Sequence, residues 1–408
     1  MDKLNYIDRM TKEDNSCNIL QLIAALAPIS RIEISKLLKL SPPTVSRIID
    51  RIYKEGLLEC IGVGESSGGR KPDLYAINKN SGYAIGMDIS KKGFQAGLFD
   101  LLGNQIESYN KPPVPQEEFF DVLEDFLRGI LSKNRDKRIL GVGIGISGNV
   151  VHETNILKYS NIFSFHDVPL QEILSSKLPV PVIVEERVRC AAYCGSHNNF
   201  MSGKEDIIYM QIGTGIGAGI VIDGNIYYGN GNSSAGEIGH MILEPNGPEC
   251  SCGGKGCLEQ LASEAAIIRD VLAKRKAAGP LPADADILGD IINYNETQIT
   301  GSSIIQAAQK GDKICAGVIE GSCKYLAISI INLFMLFNPD KLILTSNLSE
   351  NDSFLKETLY RKLNELSLRI FYWSDKVIFN TQKDMALRGS ALLILNNVLV
   401  NPSRYYSI

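Results

Sequence analysis

The densest chemistry in the chain lies between residues 237 and 259. The segment reads Glu237-Ile-Gly-His240, then nine residues, then Cys250-Ser-Cys252-Gly-Gly-Lys-Gly-Cys257-Leu-Glu259. One histidine and three cysteines within eighteen residues make a complete Cys3His set. Thiolate and imidazole at this density suit Zn2+, and four protein ligands leave no open position, so the expected site is structural. Gly253, Gly254 and Gly256 let the backbone fold tightly around an ion. The plainer alternative is a loop of reduced cysteines. A Cys250–Cys252 disulfide is disfavoured, because a single intervening residue strains the bridge.

A second group of side chains suits a different partner. Val45, Ile48, Ile49 and Ile52 form one apolar stripe, and Thr44, Ser46, Arg47 and Arg51 lie mainly off it. Arg70 and Lys71 follow in a polar, glycine-rich stretch, Gly62 to Pro72. Hydroxyls and guanidinium groups on one helix face can reach base edges, and cations on a loop can lie along phosphates or enter a minor groove.

The elements that must hold these residues can be traced from the start. Residues 16–27 read as a helix, with Ile19, Leu20, Leu22, Ile23 and Leu26 at helical spacing. Ser30-Arg-Ile-Glu33 has capping-box spacing and opens a second helix. A turn at Lys39-Leu40 follows, and Ser41-Pro42 suits an N-cap and first helical position. Gly56 closes that helix; Leu57-Leu58 and Leu74 to Ile77 read as strands. Helix, helix–turn–helix, then strand–loop–strand is the layout of a winged helix-turn-helix, whose second paired helix enters a major groove. A small helical bundle used for dimerisation is the alternative.

From residue 82 the texture changes. Ala84 to Phe99 reads as a hairpin, Phe119 to Leu131 as a helix, and Leu140 to Ile146 and Pro181 to Val184 as strands. Helical material follows to Gly195. Ile207 to Ile212 runs into the glycine loop Gly213–Gly219 and a strand at Ile220 to Asp223. Lys341 to Thr345 is a late strand and Met385 to Val398 a terminal helix. Strands alternating with helices indicate an α/β fold.

Bulk properties agree with a globular chain of several units. The 408 residues are 44% hydrophobic and 22% charged, which is ordinary for a packed core. Net charge is −4, yet residues 1–80 carry 12 Lys/Arg against 10 Asp/Glu. That small basic excess permits contact with an anionic polymer. Nine cysteines, an odd number with three crowded together, suggest a cytoplasmic chain with one metal or redox cluster. The longest apolar candidate, Tyr325 to Phe337, is interrupted by Asn332, so no bilayer-spanning run is expected. The polar N-terminus, MDKLNYIDRMTKEDN, has no apolar signal core.

Glu-x-Gly-His, nine residues, then Cys-x-Cys-Gly-x-x-Gly-Cys-x-Glu resembles the signature of the ROK family (repressor, open reading frame, kinase). Gly213-Thr-Gly-Ile-Gly-Ala-Gly219 resembles the family's second phosphate loop, Asn161-Ile-Phe-Ser-Phe165 its sugar-side loop, and Gly68-Gly-Arg-Lys-Pro72 the wing of its repressor members. The resemblance implies a winged helix-turn-helix over residues 1–80 and a two-lobed actin-like, ribonuclease-H-like sugar-kinase fold over 81–408. The small lobe would take about 81–195 plus 385–408, and the large lobe about 196–384. It further implies a sugar-type ligand, zinc beside it, and a homodimer or tetramer. By resemblance His240, Cys250, Cys252 and Cys257 ligate the metal. Asn161, Glu237, His240 and Glu259 face the sugar.

Three departures from the kinase pattern change the expected activity. The family's Asn-Asp pair, whose Asp is the general base, reads Glu186-Arg187 here. A guanidinium stays protonated and cannot be that base. The first phosphate loop, normally Asp-x-Gly-Gly-Thr, reads Asp88-Ile-Ser-Lys-Lys-Gly93, and the late Gly-Gly reads Ser346-Asn347. Phosphoryl transfer depends on positioning and electrostatics, so three altered parts predict its loss. The expected protein is a transcriptional regulator that binds double-stranded operator DNA and answers to a sugar or sugar phosphate. The alternative is an ATP-dependent sugar kinase with an added DNA-binding domain. Arg187 has two readings: it pairs with an effector phosphate, or it pairs internally with Glu185, Glu186 or Asp88.

Overall fold

A computed structural model describes residues 15–65, 71–160, 162–197, 205–230, 233–279, 286–346, 348, 353–366, 373–380, 382 and 384–400. The chain opens with α1 (Asn15–Leu26), β1 (Ile29–Ser30), α2 (Arg31–Leu38), α3 (Pro42–Lys54), β2 (Leu58–Val63) and β3 (Asp73–Ile77). The capping box forms as expected. Ser30 Oγ accepts from Glu33 N at 3.3 Å, and the Glu33 carboxylate accepts from Ser30 N at 3.0 Å. Lys39 ends α2 in the left-handed region, and Ser41 caps α3 with Pro42 in its first turn. Val45, Ile48, Ile49 and Ile52 are buried, so the apolar stripe of α3 faces inward. The three strands form an antiparallel sheet in the order β1-β3-β2. Sequence reading missed β1, because two residues between helices are too short to show a period of two.

The chain divides into two compact units. One takes the described residues up to 197, the winged helix included, with Ser233 and 384–400; the other takes 205–230 and 234–382. In the first unit β4 (Tyr83–Ser90), β5 (Gly93–Asp100) and β6 (Gln105–Lys111) form an antiparallel meander. After α4 (Phe119–Lys133), strand β7 (Ile139–Ile146) pairs parallel to β4. A small sheet of β8 (Asn149–Val151), β9 (Ile156–Ser160) and β10 (Phe165–Val168) follows, then α5 (Leu170–Lys177). Strand β11 (Val182–Glu186) adds in parallel to β7, and its last residue leads directly into α6 (Arg187–Ser196). Ile85, Met87, Leu98, Phe119, Leu123, Val142 and Ile144 share one core. The C-terminal helix Met385–Val400 lies on this sheet, and Ser390 Oγ accepts from Met87 N at 2.9 Å.

The second unit repeats the scheme. Its sheet runs β14-β13-β12-β15-β16, from β12 (Ile207–Ile212), β13 (Ile216–Ile222), β14 (Asn225–Ile226), β15 (Lys341–Ser346) and β16 (Val377–Phe379). Strands β12, β15 and β16 are parallel, and β13 and β14 are antiparallel. The helices are α7 (Leu258–Ala262), α8 (Glu264–Ala278), α9 (Ile287–Ile291), α10 (Gly301–Gln309), α11 (Lys313–Phe337) and α12 (Ser353–Leu366), with α13 (Met385–Val400) belonging to the first unit. The apolar stretch expected to begin at Tyr325 is part of the longer α11. By length and composition α11 alone among the described helices is long and apolar enough to cross a membrane, with a mean hydropathy of 1.6. Half of that stretch is buried, and Cys315, Ile319, Leu326, Ile330 and Phe334 pack with Met210, Ile212, Leu342 and Leu344 in the unit's core. The glycine run is also shorter as a loop than expected. Only Gly213–Gly215 turn; Ile216–Ile222 is already strand, paired from Ile212↔Ile216 to Ile207↔Val221.

Candidate functional site

The Cys/His segment folds into a pinned loop. Cys250 N donates to Gly254 O at 2.8 Å, and Gly256 N to Pro248 O at 2.8 Å. Leu243 N donates to Gly256 O at 2.9 Å, and Leu258 N to Met241 O at 2.9 Å. Gly256 has φ 64, and a Cβ there would strike the Glu244 carbonyl, so no other residue fits. This loop brings His240, Cys250, Cys252 and Cys257 together, with their ligand atoms all within 4.8 Å of one another. Cys250 Sγ lies 3.6 Å from His240 Nδ1, and Cys252 Sγ lies 3.6 Å from Cys257 Sγ. A tetrahedron with zinc–sulfur bonds of 2.3 Å has edges of about 3.8 Å, so donor set and spacing both fit such an ion. Burial pushes the Cys257 thiol up to about 12, while the Gly254 backbone N–H and the neighbouring thiols hold Cys252 low. Bound as thiolates, the three sulfurs would carry negative charge that a cation balances.

The same loop sets the two candidate sugar-side carboxylates. Glu237 precedes a single 3-10 turn, Ile238–His240, and is half-buried. Gly239 lies so close to β13 that a Cβ would strike the Ile216 carbonyl, and it would sit 3.5 Å from Glu259 Cβ. Glu259 therefore lies against the Glu-x-Gly-His segment rather than on the surface. Its carboxylate accepts from Ile216 N at 3.1 Å. The neighbouring glycine turn is closed on itself: Gly213 N donates to Gly215 O at 2.9 Å, and Glu264 N donates to Gly213 O at 2.8 Å. Asn161 lies outside the described residues.

In the first unit, Arg187 stands at the first position of α6, directly after β11. Its Nε donates to Asp88 Oδ1 at 2.7 Å and its Nη2 to Asp88 Oδ2 at 3.0 Å. The pair is bidentate, and Asp88 is only 3% exposed. Of the internal partners available to Arg187, β4 supplies the one that forms this fork. Sequence reading missed Arg189, two residues on and 1% exposed. Its guanidinium donates to Val150 O at 2.9 Å and to Ser233 O, lies 3.4 Å from Glu185 Oε1, and its Nε is 3.3 Å from Glu186 Oε2. No periodicity marks such a residue, since a buried arginine reads as a surface one until its carboxylates are located.

On α3, Arg47 is exposed and makes no hydrogen bond or ion pair among the described residues. Ser46 and Thr44 are half-buried, and Thr44 Oγ1 lies 2.7 Å from Ser41 Oγ within the helix cap. Arg51 turns back to α1, where Nη2 donates to Ser16 Oγ at 2.9 Å. Lys71 is exposed at the foot of the wing, and Arg70 lies outside the described residues. Sequence reading also missed Arg31, which reaches both Asp50 on α3 and Tyr75 on β3.

A ROK family model matches residues 84–397, and a MarR family model matches residues 12–59. Over 402 residues the chain is 31% identical to the xylose repressor of Caldicellulosiruptor bescii, covering 96% of this chain and 98% of that one. The crystal structure of a ROK family transcriptional regulator, a homologue of the E. coli MLC protein, matches with a TM-score of 0.78 at 25% identity, covering 94% of this chain and 96% of that one. A ROK family glucokinase from Streptomyces griseus, in complex with glucose and AMPPNP, shares the fold, with a TM-score of 0.63 at 24% identity over 76% of this chain and 98% of its own. With a family model running from β4 into α13 and a relative matched along nearly its whole length, this chain belongs to the ROK family.

Proposed function

We propose that the protein is a sugar-responsive transcriptional repressor of carbohydrate-utilisation genes, with no kinase activity of its own. The observation that carries this reading is the bidentate Asp88–Arg187 pair. By the resemblance, Arg187 is a permanent cation at the position where the family's kinases keep a base. It also engages the first residue of the former phosphate loop. In the second unit, Gly213 N and Ile216 N of the glycine turn already have protein acceptors.

The winged helix supplies the DNA-binding function. Arg47, Ser46 and Thr44 on α3, with Arg70 and Lys71 on the wing, contact double-stranded operator DNA. Glu237, Glu259, His240 and Asn161 bind the sugar. An ion in the Cys3His cluster, by its chemistry zinc, would hold that segment in shape and balance its thiolates. Because Asp88 already takes both arms of Arg187, an effector phosphate would have to displace it, so an unphosphorylated sugar is the favoured effector. Sugar binding lowers operator affinity by its differential affinity for the two states of the protein. The working form is a cytoplasmic homo-oligomer, dimer or tetramer, reading two half-sites about one helical turn apart or a multiple of that.

Gel-shift titration of the full-length protein against its selected DNA, with xylose, glucose, N-acetylglucosamine and their phosphates, tests this. Release by one free sugar is expected. Tighter binding with sugar would reverse the sign, and release by a phosphate ester alone would return Arg187 to the effector. ATP turnover with any of these sugars would replace the reading with a kinase.

A further inference from the structure

Two arginine ties flank α3. We propose that Arg31 is a positioning residue that locks the recognition helix and the wing sheet into one DNA-reading unit, with Arg51 bracing the opposite flank of the helix. The inference rests on the DNA-binding reading above.

Arg31 is the first residue of α2, immediately after the capping Ser30. Its Nη2 lies 2.6 Å from Asp50 Oδ1 on α3. Its Nε and Nη2 donate to the Tyr75 hydroxyl at 3.0 and 2.6 Å. Tyr75 is 4% exposed on β3, the central strand of the wing sheet, and its ring meets Tyr53 of α3 edge to face at 6.1 Å. One guanidinium thus joins three elements whose mutual placement decides whether helix and wing can reach DNA together. Its planar fork suits this, since several donors leave it in fixed directions.

Charge supplies a second argument. The Asp50 side chain is 64% exposed, within one helical turn of Arg47 and Lys54. A bare carboxylate there would be repelled by the phosphate backbone. Arg31 neutralises it. On the other flank, Arg51 reaches Ser16, which is buried on α1. Arg47 is left as the arginine of this helix with no tie among the described residues, and so the one placed to meet DNA.

The charge-neutral variant Tyr75→Phe is the cleanest test, because it removes one buried hydroxyl that DNA cannot touch. Full-length wild type, Tyr75→Phe, Arg31→Lys, Arg51→Ala and Arg47→Ala would be titrated at several salt concentrations. The probes are the duplex most enriched by wild type from a random-sequence pool and a shuffled duplex of the same composition. Tyr75→Phe and Arg31→Lys should lower the ratio of enriched to shuffled affinity about threefold to tenfold. Binding to the shuffled duplex, the salt slope and the thermal midpoint should stay near wild type. Arg51→Ala should keep the salt slope, while Arg47→Ala should reduce it by about one. A ratio within twofold of wild type for both Tyr75→Phe and Arg31→Lys would overturn the proposal. So would equal loss on both duplexes with a shallower slope in Arg31→Lys or Arg51→Ala, which marks a direct phosphate contact. If wild type enriches no duplex, the DNA-binding reading fails and this inference with it.

Discussion

The Cys/His cluster of the second unit and the Asp88–Arg187 corner of the first are built in opposite ways. In the cluster, four donor atoms from one eighteen-residue segment face one another at tetrahedral spacing. Donor types and spacing there fit a tetrahedral cation such as zinc. In the corner, two charged groups 99 residues apart in sequence meet directly through two hydrogen bonds. Their opposite charges balance. Both sets lie within the segment that matches the ROK family model, yet one gathers donors that suit a cation and the other pairs opposite charges. What separates them is not the density of reactive side chains but whether their bonding directions are already met.

The largest effect that would test this contrast comes from the cluster. Cys257→Ser, at a fully buried ligand, should lose close to one equivalent of zinc by metal analysis. It should also destabilise the second unit by more than about 3 kcal/mol in chemical unfolding. Wild type purified with no zinc and an unchanged unfolding curve for the variant would remove the distinction.

Arg187→Ala comes next. It leaves the Asp88 carboxylate buried without its partner, a change that costs about 3 kcal/mol in comparable pairs, less here because the Arg187 side chain is 22% exposed. Asp88→Ala together with Arg187→Ala should recover most of that loss. A double variant whose cost equals the sum of the singles would show that the two groups are not coupled. Arg187→Asp, which puts an acid where the proposed reading sets the kinase base, should destabilise by like-charge contact with Asp88. It should also remain unable to transfer phosphate from ATP to glucose or xylose in a coupled assay, because Ser90, Lys91 and Lys92 still stand in the first phosphate loop.

The smallest effect lies between the two regions in character. Glu259→Ala removes the acceptor of Ile216 N, worth about 1 kcal/mol in unfolding experiments. Its effect on sugar-dependent release of DNA should be larger than that stability change. Equal release in wild type and variant would confine Glu259 to a structural role.

Local spacing made part of this legible. The Ser30–Glu33 box, the Ser41-Pro42 cap and the apolar stripe of α3 are short-range features, and a sequence displays them whole. The Cys3His set was readable for the same reason. What the sequence hid is long-range or backbone-borne. Glu185, Glu186 and Asp88 were equally plausible partners for Arg187, and only the parallel pairing of β4, β7 and β11 brings Asp88 to the start of α6. The glycine run looked like a long phosphate loop, yet most of it is strand. Glycine also marks a close backbone approach, and here Gly239, in its 3-10 turn, lies against the Ile216 carbonyl of β13. Arg31 escaped notice because its two partners, Asp50 and Tyr75, lie 19 and 44 residues away.

Among the three thiols of the cluster, Cys250 and Cys257 are buried and Cys252 is exposed. That asymmetry bears on rates rather than on affinity. An ion held there would present one bond to solvent, and a competing donor would enter by replacing the Cys252 sulfur first. Metal release would then be associative, its rate rising with chelator concentration instead of waiting on unfolding of the loop. The same exposure makes Cys252 the thiol of the cluster that an oxidant meets first. A regulator of this build would lose its metal from one side, one bond at a time, while the rest of the loop still held its shape.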